Sequence, residues 1–202
     1  MRKEEFVIDG ALIEHFLPNM TRPRHALHGS TLLFLLLSTF GNTFAAVKLP
    51  SIFGDHMVLQ RDQEIHVWGW DTPKQTVTVT LGGNQETATT AESGRWSVKL
   101  PPLTGGRDRH QMKVSGSSTV TFKDVLIGEV WLCSGQSNMQ WSVSQSNDPD
   151  LELLTAKFPQ IRLITVPQVG TQDPQKDFVG AWQPCTPESA ATFSAVGYYF
   201  GR

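Results

Sequence analysis

The residues best suited to chemistry lie in one short stretch, Cys133-Ser134-Gly135-Gln136-Ser137-Asn138-Met139. It ends a nearly continuous apolar run, Val125 to Cys133, of the kind that forms a strand covered on both faces. Ligand sites in open α/β sheets lie beyond the carboxyl ends of such strands, so a serine in this turn presents its hydroxyl at the floor of a site. Backbone N–H groups at Gly135, Ser137 and Asn138 can point at an oxyanion in acyl transfer. Gly135 lets the chain bend tightly and approach a ligand, and Gln136 and Trp141 are candidates for the pocket lining. The pattern is not Gly-x-Ser-x-Gly, because Met139 stands at the second glycine, so the nucleophile elbow of α/β-hydrolases is not matched. The same residues also fit a polar turn whose Ser and Asn satisfy backbone groups.

Two kinds of element must position this turn. From Leu49 to about Lys123 the apolar residues alternate, the signature of half-buried strands. Ile65 and Val67, then Val77, Val79 and Leu81, then Trp96, Val98 and Leu100, then Met112 and Val114 each fall on one face. Turn residues separate the runs, among them Asp71-Thr72-Pro73, Gly82-Gly83-Asn84 and Ser93-Gly94. Short alternating strands at this spacing predict a β-sandwich over residues 46–123. Tryptophans Trp68, Trp70 and Trp96 read as sandwich core, with a sugar-stacking platform as the alternative. From Asp124 the pattern changes to strand, helix, strand, helix. Asp148-Pro149 and Thr186-Pro187 mark helix starts, Ile161–Val166 a second strand, and Phe193, Val196, Gly197 and Phe200 share a helical face. Residues 124–202 thus read as the beginning of an α/β domain with a parallel sheet, with too few strands to complete one.

At this point a resemblance enters. Gly128-Glu129-Val130-Trp131-Leu132-Cys133-Ser134-Gly135-Gln136-Ser137-Asn138-Met139 resembles the nucleophile block of sialate O-acetylesterases, in the SGNH (GDSL-like) hydrolase superfamily. Phe53-Gly54-Asp55-His56-Met57-Val58-Leu59-Gln60-Arg61 resembles that family's opening, and Val67-Trp68-Gly69 and Gly94-Arg95-Trp96 its β-region. The resemblance implies a β-sandwich followed by a three-layer, flavodoxin-like α/β esterase domain, of which this is the N-terminal portion. It implies hydrolysis of O-acetyl esters on sialic acid or a related glycan. Ser137 would attack the acetyl carbonyl, its own N–H would serve the oxyanion, and water would resolve an acetyl-serine. That scheme requires no metal and no organic cofactor.

The family's later Gly, Asn and Asp-x-x-His blocks find no match. The histidines of residues 46–202 are His56, His66 and His110, all before Ser137. The expectation is an incomplete triad and no useful esterase activity from the isolated chain. The competing readings are a non-catalytic remnant, a glycan-binding β-sandwich protein, or a second chain that supplies the base and completes the sheet. The pairs Asp62 with Glu64 and Asp173 with Asp177 read as solvated surface.

Composition removes other classes. The 202 residues carry 17 basic and 19 acidic side chains with a formal net charge of −2, and no basic stripe, so nucleic acid is not an expected partner. No Cys-x-x-Cys or His-Glu-x-x-His spacing suggests a metal. Arg22 and Arg24 precede the apolar run Leu32–Leu37, and Thr43 and Ala45 suit cleavage before Ala46, which together predict an export signal and a periplasmic or extracellular protein. A start at Met20 would bring the basic residues close to the N-terminus, leaving residues 1–19 untranslated. The run is too short for a stable transmembrane span, which needs roughly 20 residues. Export permits a Cys133–Cys185 disulfide, and spacing alone does not decide it.

Overall fold

Alternating residues between Val58 and Gly128 form seven strands: β1 Val58–Gln60, β2 Ile65–Trp70, β3 Thr76–Leu81, β4 Asn84–Thr89, β5 Arg95–Leu100, β6 His110–Ser115 and β7 Thr119–Gly128. The structure is a computed structural model that describes residues 46–202. The expected export signal, at residues 22–45, lies outside the described residues, as does Met20. Five strands make a mixed sheet in the order β1-β7-β6-β3-β4, parallel only between β1 and β7, and β2 and β5 form an antiparallel pair. Gly82 and Gly83 both have positive φ, which the two-residue turn between β3 and β4 requires.

One core forms because β2, β3, β5 and β6 each turn alternate residues inward. Val77, Val79 and Leu81 from β3, Val67 from β2, Val98 and Leu100 from β5, and Met112 and Val114 from β6 are all buried in it. Trp96, only 4% exposed, is core as expected, and half-buried Trp68 meets Phe53 edge-on at 4.9 Å. Asp71 is buried at the corner. It accepts the N–H groups of Thr72 at 2.7 Å and Ser117 at 2.9 Å, replacing the water it loses.

Gly69 shows how closely this core is built. Lys48 and Trp70 exchange two backbone hydrogen bonds of 2.8 Å across it. A Cβ at Gly69 would stand 2.1 Å from the Lys48 carbonyl oxygen and 2.9 Å from Trp96 Cζ2. Neither a paired backbone nor a core indole can retreat cheaply. Gly69→Ala is therefore expected to cost about 2–3 kcal/mol, read as a lower urea midpoint at unchanged slope.

The second region departs from its expected form. β7 runs unbroken through Asp124, so the boundary expected there falls inside a strand, and it ends at Gly128. Val125, Leu126 and Ile127 are buried, but Trp131 is 65% and Leu132 90% exposed, so the doubly covered strand expected through Cys133 stops five residues early. The cause is local: no described strand pairs with residues 129–133. The second expected strand forms as β8, Phe158–Leu163, and pairs antiparallel with β9, Gln183–Cys185, in place of the expected parallel partner. The helices are short: α1 Ser137–Gln140, α2 Pro149–Thr155, α3 Pro187–Ala191 and α4 Ala195–Gly201.

Their starts follow the sequence signals with one difference. Thr186 caps α3 and exchanges hydrogen bonds with Ser189 in a capping box. Asp148 precedes α2 but takes a left-handed conformation, and its side chain does not cap. A second apolar cluster holds these elements, with Val143, Leu163, Ala190, Ala195 and Tyr198 at its centre. The Tyr198 hydroxyl donates to Glu152 at 2.9 Å, and burial together with that carboxylate pushes its pKa up to about 12. On α4 the buried residues are Ala195, Gly197 and Tyr198. Val196 and Phe200, expected to face a core, point outward instead. Trp182, near β9, is buried in the strand core and donates its indole N–H to the Ile52 carbonyl at 2.8 Å.

Candidate active site

Ser137 is the first residue of α1, and Gln136 is its N-cap in extended conformation. A helix start leaves its first N–H groups without intrahelical acceptors. Gln136 supplies no side-chain cap, and among the described residues the N–H groups of Ser137 and Asn138 donate to nothing. The Ser137 hydroxyl also makes no hydrogen bond among the described residues and is exposed. Met139 N donates to the Gln136 carbonyl at 2.9 Å, closing the turn. Gly135 is needed for close approach more than for an unusual φ: a Cβ there would lie 2.8 Å from Met139 Cγ. Gln136 and Asn138 are exposed, and Trp141 is half out of the protein.

Two clamps hold this turn. As the chain leaves β7, Gln60 bridges Glu129 at 3.0 Å and the Val130 N–H at 2.9 Å, while Arg61 pairs with Glu129 at 2.7 Å. The hydrogen bonds from Gln60 and Arg61 hold the Glu129 carboxyl below its ordinary pKa. Beyond α1, the Trp141 carbonyl accepts Ala195 N at 2.8 Å, and Val143 N donates to Phe193 at 3.1 Å. Cys133 packs against Gly197 of α4, where a Cβ would meet its sulfur at 3.4 Å. Cys133 is exposed, Cys185 is buried, and both thiols are free. Burial raises the Cys185 pKa.

Two of the concavities among the described residues hold about 600 Å³ each. The first runs along the end of β7 and β8 and is lined by Trp131, Cys133, Ile161, Phe193 and Phe200. The second is lined by Phe53, His56, Phe122 and Trp182. Neither lining includes Gly135, Gln136, Ser137, Asn138 or Trp141. The turn stands at the surface beside the first concavity's Cys133 wall.

None of the described histidines is hydrogen-bonded to Ser137. His56 Nδ1 lies 2.6 Å from Asp124 Oδ2, His66 Nε2 lies 3.8 Å from Glu64, and His110 belongs to β6. The Asp124 cluster escaped the sequence reading. Arg162 Nη2 reaches Asp124 Oδ2 at 2.9 Å, and Arg109 Nη1 approaches Oδ1 at 3.0 Å. Burial alone would raise the Asp124 carboxyl. The His56 hydrogen bond and the Arg162 and Arg109 charges outweigh it and hold the group below its ordinary pKa. The one available signal was an aspartate interrupting an apolar strand. Asp62, Glu64, Asp173 and Asp177 are all exposed as expected, and Asp177 also accepts the Ser51 N–H at 2.7 Å. Among the described residues no group of His, Cys, Asp and Glu is arranged to hold a metal.

No family model matches the chain. It is 35% identical over 175 residues to human sialate O-acetylesterase, covering 77% of this chain and 34% of that protein. The mouse sialate O-acetylesterase is 34% identical over the same length, covering 77% of this chain and 32% of its own. A solved carbohydrate acetylesterase from Xanthomonas citri superposes with a TM-score of 0.74 at 36% identity, covering 77% of this chain and 36% of that one. The chain spans about a third of the length of the curated relatives it matches.

Proposed function

We propose, for a chain that is a relative of the sialate O-acetylesterases and matches about a third of their length, that it carries the nucleophile part of a serine esterase removing O-acetyl groups from sugars. The observation that carries this reading is Ser137 itself. It is an exposed hydroxyl without a hydrogen bond among the described residues, on a turn whose Ser137 and Asn138 N–H groups are likewise unclaimed there. Ser137 Oγ adds to the acetyl carbonyl and the two N–H groups receive the oxyanion. The sugar hydroxyl leaves, and water then hydrolyses the acetyl-serine. The base that takes the serine proton is an imidazole from the part of the SGNH-type domain beyond the matched third. The substrate is an acetylated sugar, sialic acid or a related glycan. Export directed by residues 22–45 belongs to the same proposal, and a mature N-terminus at Ala46 is its expected mark.

The test uses a chimaera in which residues 46–202 replace the matched third of the X. citri carbohydrate acetylesterase. Treated with a 4-nitrophenyl phosphonate ester, an acyl-transfer mimic, it is expected to carry the adduct on Ser137 by peptide mass spectrometry. An adduct on any other residue, or none in a chimaera that cleaves acetyl esters, overturns the assignment.

A further inference from the structure

Of the tryptophans expected in the strand core, Trp96 is fully buried, whereas Trp68 and Trp70 are not. Along β2 the buried residues are Ile65, Val67 and Gly69, so His66, Trp68 and Trp70 share the outer face. Two residues apart on one strand, the two indoles stand about 7 Å from each other. Both are held in place. Phe53 meets Trp68 edge-on at 4.9 Å, and Trp70 is tied to Lys48 by two backbone hydrogen bonds of 2.8 Å. Rings fixed in this way lose little freedom when a ligand lies on them. Cations flank them. Trp70 sits in a cross-strand row between Lys48 and Arg95, and Trp68 lies opposite Ser97. On the same face Lys99 is taken by Glu64 at 3.1 Å. Lys48 and Arg95 are exposed, and among the described residues neither pairs with an acid. Two unpaired cations beside two indoles stand out in a chain whose formal net charge is −2.

We propose that this outer face of β2 and β5 binds an acidic polysaccharide, a chain of carboxylated sugars. The C–H groups on one side of a sugar ring, polarised by its oxygens, rest on the negative face of an indole. Carboxylates on the same chain reach Lys48 and Arg95 as charge-assisted hydrogen bonds. Each other ligand class leaves part of the face unused. A neutral glycan leaves both cations unanswered. An acidic peptide brings carboxylates but no flat C–H surface for two indoles. Nucleic acid calls for a longer basic track than two unpaired cations provide. The binding face is independent of Ser137 chemistry, because it holds a polymer without transforming it.

The experiment is isothermal titration of the 202-residue chain with polygalacturonate, beside dextran, polyglutamate and oligothymidylate. Polygalacturonate is expected to bind, about tenfold or more tighter than dextran, and to weaken as salt screens the charges. Trp70→Ala is expected to lower its affinity about tenfold. Lys48→Gln combined with Arg95→Gln is expected to lower it by a similar factor, about tenfold, and to remove the preference over dextran. Trp70 is half-buried, so the paired charge variant, whose side chains are exposed, keeps the test independent of folding. Arg107→Gln combined with Lys113→Gln removes the same charge from exposed positions elsewhere and is expected to leave binding unchanged. Absence of polygalacturonate binding overturns the proposal. Equal affinity for dextran, tighter binding of polyglutamate or oligothymidylate, or equal loss in the Arg107 and Lys113 variant does so too. Ser137→Ala is expected to bind polygalacturonate as the wild type does. A failed esterase reading therefore leaves this proposal standing, and failure here leaves the Ser137 reading untouched.

Discussion

Asp124→Asn is expected to destabilise the protein by about 3–5 kcal/mol at neutral pH, because it leaves a buried guanidinium without its counter-charge. The Arg162 side chain is 1% exposed, and its Nη2 rests on Asp124 Oδ2 at 2.9 Å. Its Nη1 also donates to the Pro159 carbonyl, and among the described residues no carboxylate other than Asp124 pairs with it. Asparagine preserves size and tolerates the left-handed backbone at residue 124, φ 55°, so the substitution isolates charge from strain. Arg109 provides the control. It meets Asp124 from the surface, 59% exposed, and Arg109→Gln is expected to cost less than about 1 kcal/mol. The pH dependence follows from the direction of the shift. A carboxyl held below its unfolded value stabilises fully above that value, about 3.9, and the contribution is lost as pH falls through the lower folded pKa. Urea midpoints should therefore separate wild type from Asp124→Asn at pH 7 and converge as pH drops through the acid range. A difference below about 1 kcal/mol at pH 7 would refute the counter-charge argument.

That cluster also marks where sequence reasoning reaches its limit. Strands β2, β3, β5 and β6 were legible because one face of each is buried in a core those same strands make. Val77, Val79 and Leu81 need no information beyond their parity. The Ser137 turn was legible as punctuation, a Gly-containing polar segment ending an apolar run. Asp124 was not, because its partners His56 and Arg162 lie 68 and 38 residues away and only the tertiary fold assembles them. The apolar run through Cys133 and the Val196–Phe200 face misled for a further reason. Apolar periodicity states that a surface requires cover, and it does not state which chain provides it. A strand was expected where Leu132 stands exposed, and a core contact where Phe200 does, because the pattern was read as if its partner were at hand. The parallel partner expected for Ile161–Val166 failed too, since β8 pairs antiparallel with β9.

Within the chimaera, Ser137→Ala is expected to lower kcat for deacetylation of an O-acetylated sugar by roughly 10⁴-fold or more, the scale seen when a nucleophile is removed from an intact catalytic set. In the 202-residue chain alone the same substitution is expected to change nothing above background. The contrast follows from the proton. A serine hydroxyl is a weak nucleophile until a base accepts its hydrogen. Among the described residues no imidazole is hydrogen-bonded to Ser137: His56 is held by Asp124 at 2.6 Å, and His66 and His110 lie on β2 and β6. An exposed turn also leaves its oxyanion donors in water, where a hydrogen bond to the developing charge gains little over the one water already makes. Both deficits are removed together when further polypeptide covers the turn, so serine dependence should emerge only with that cover. The decisive measurement is acetate release by four proteins: the chain, its Ser137→Ala variant, the chimaera and its Ser137→Ala variant. Serine-dependent turnover in the chain alone would mean that a base lies nearer than the structure places one. Serine-independent turnover in the chimaera would move the nucleophile to another residue and reduce Ser137 to a turn-former.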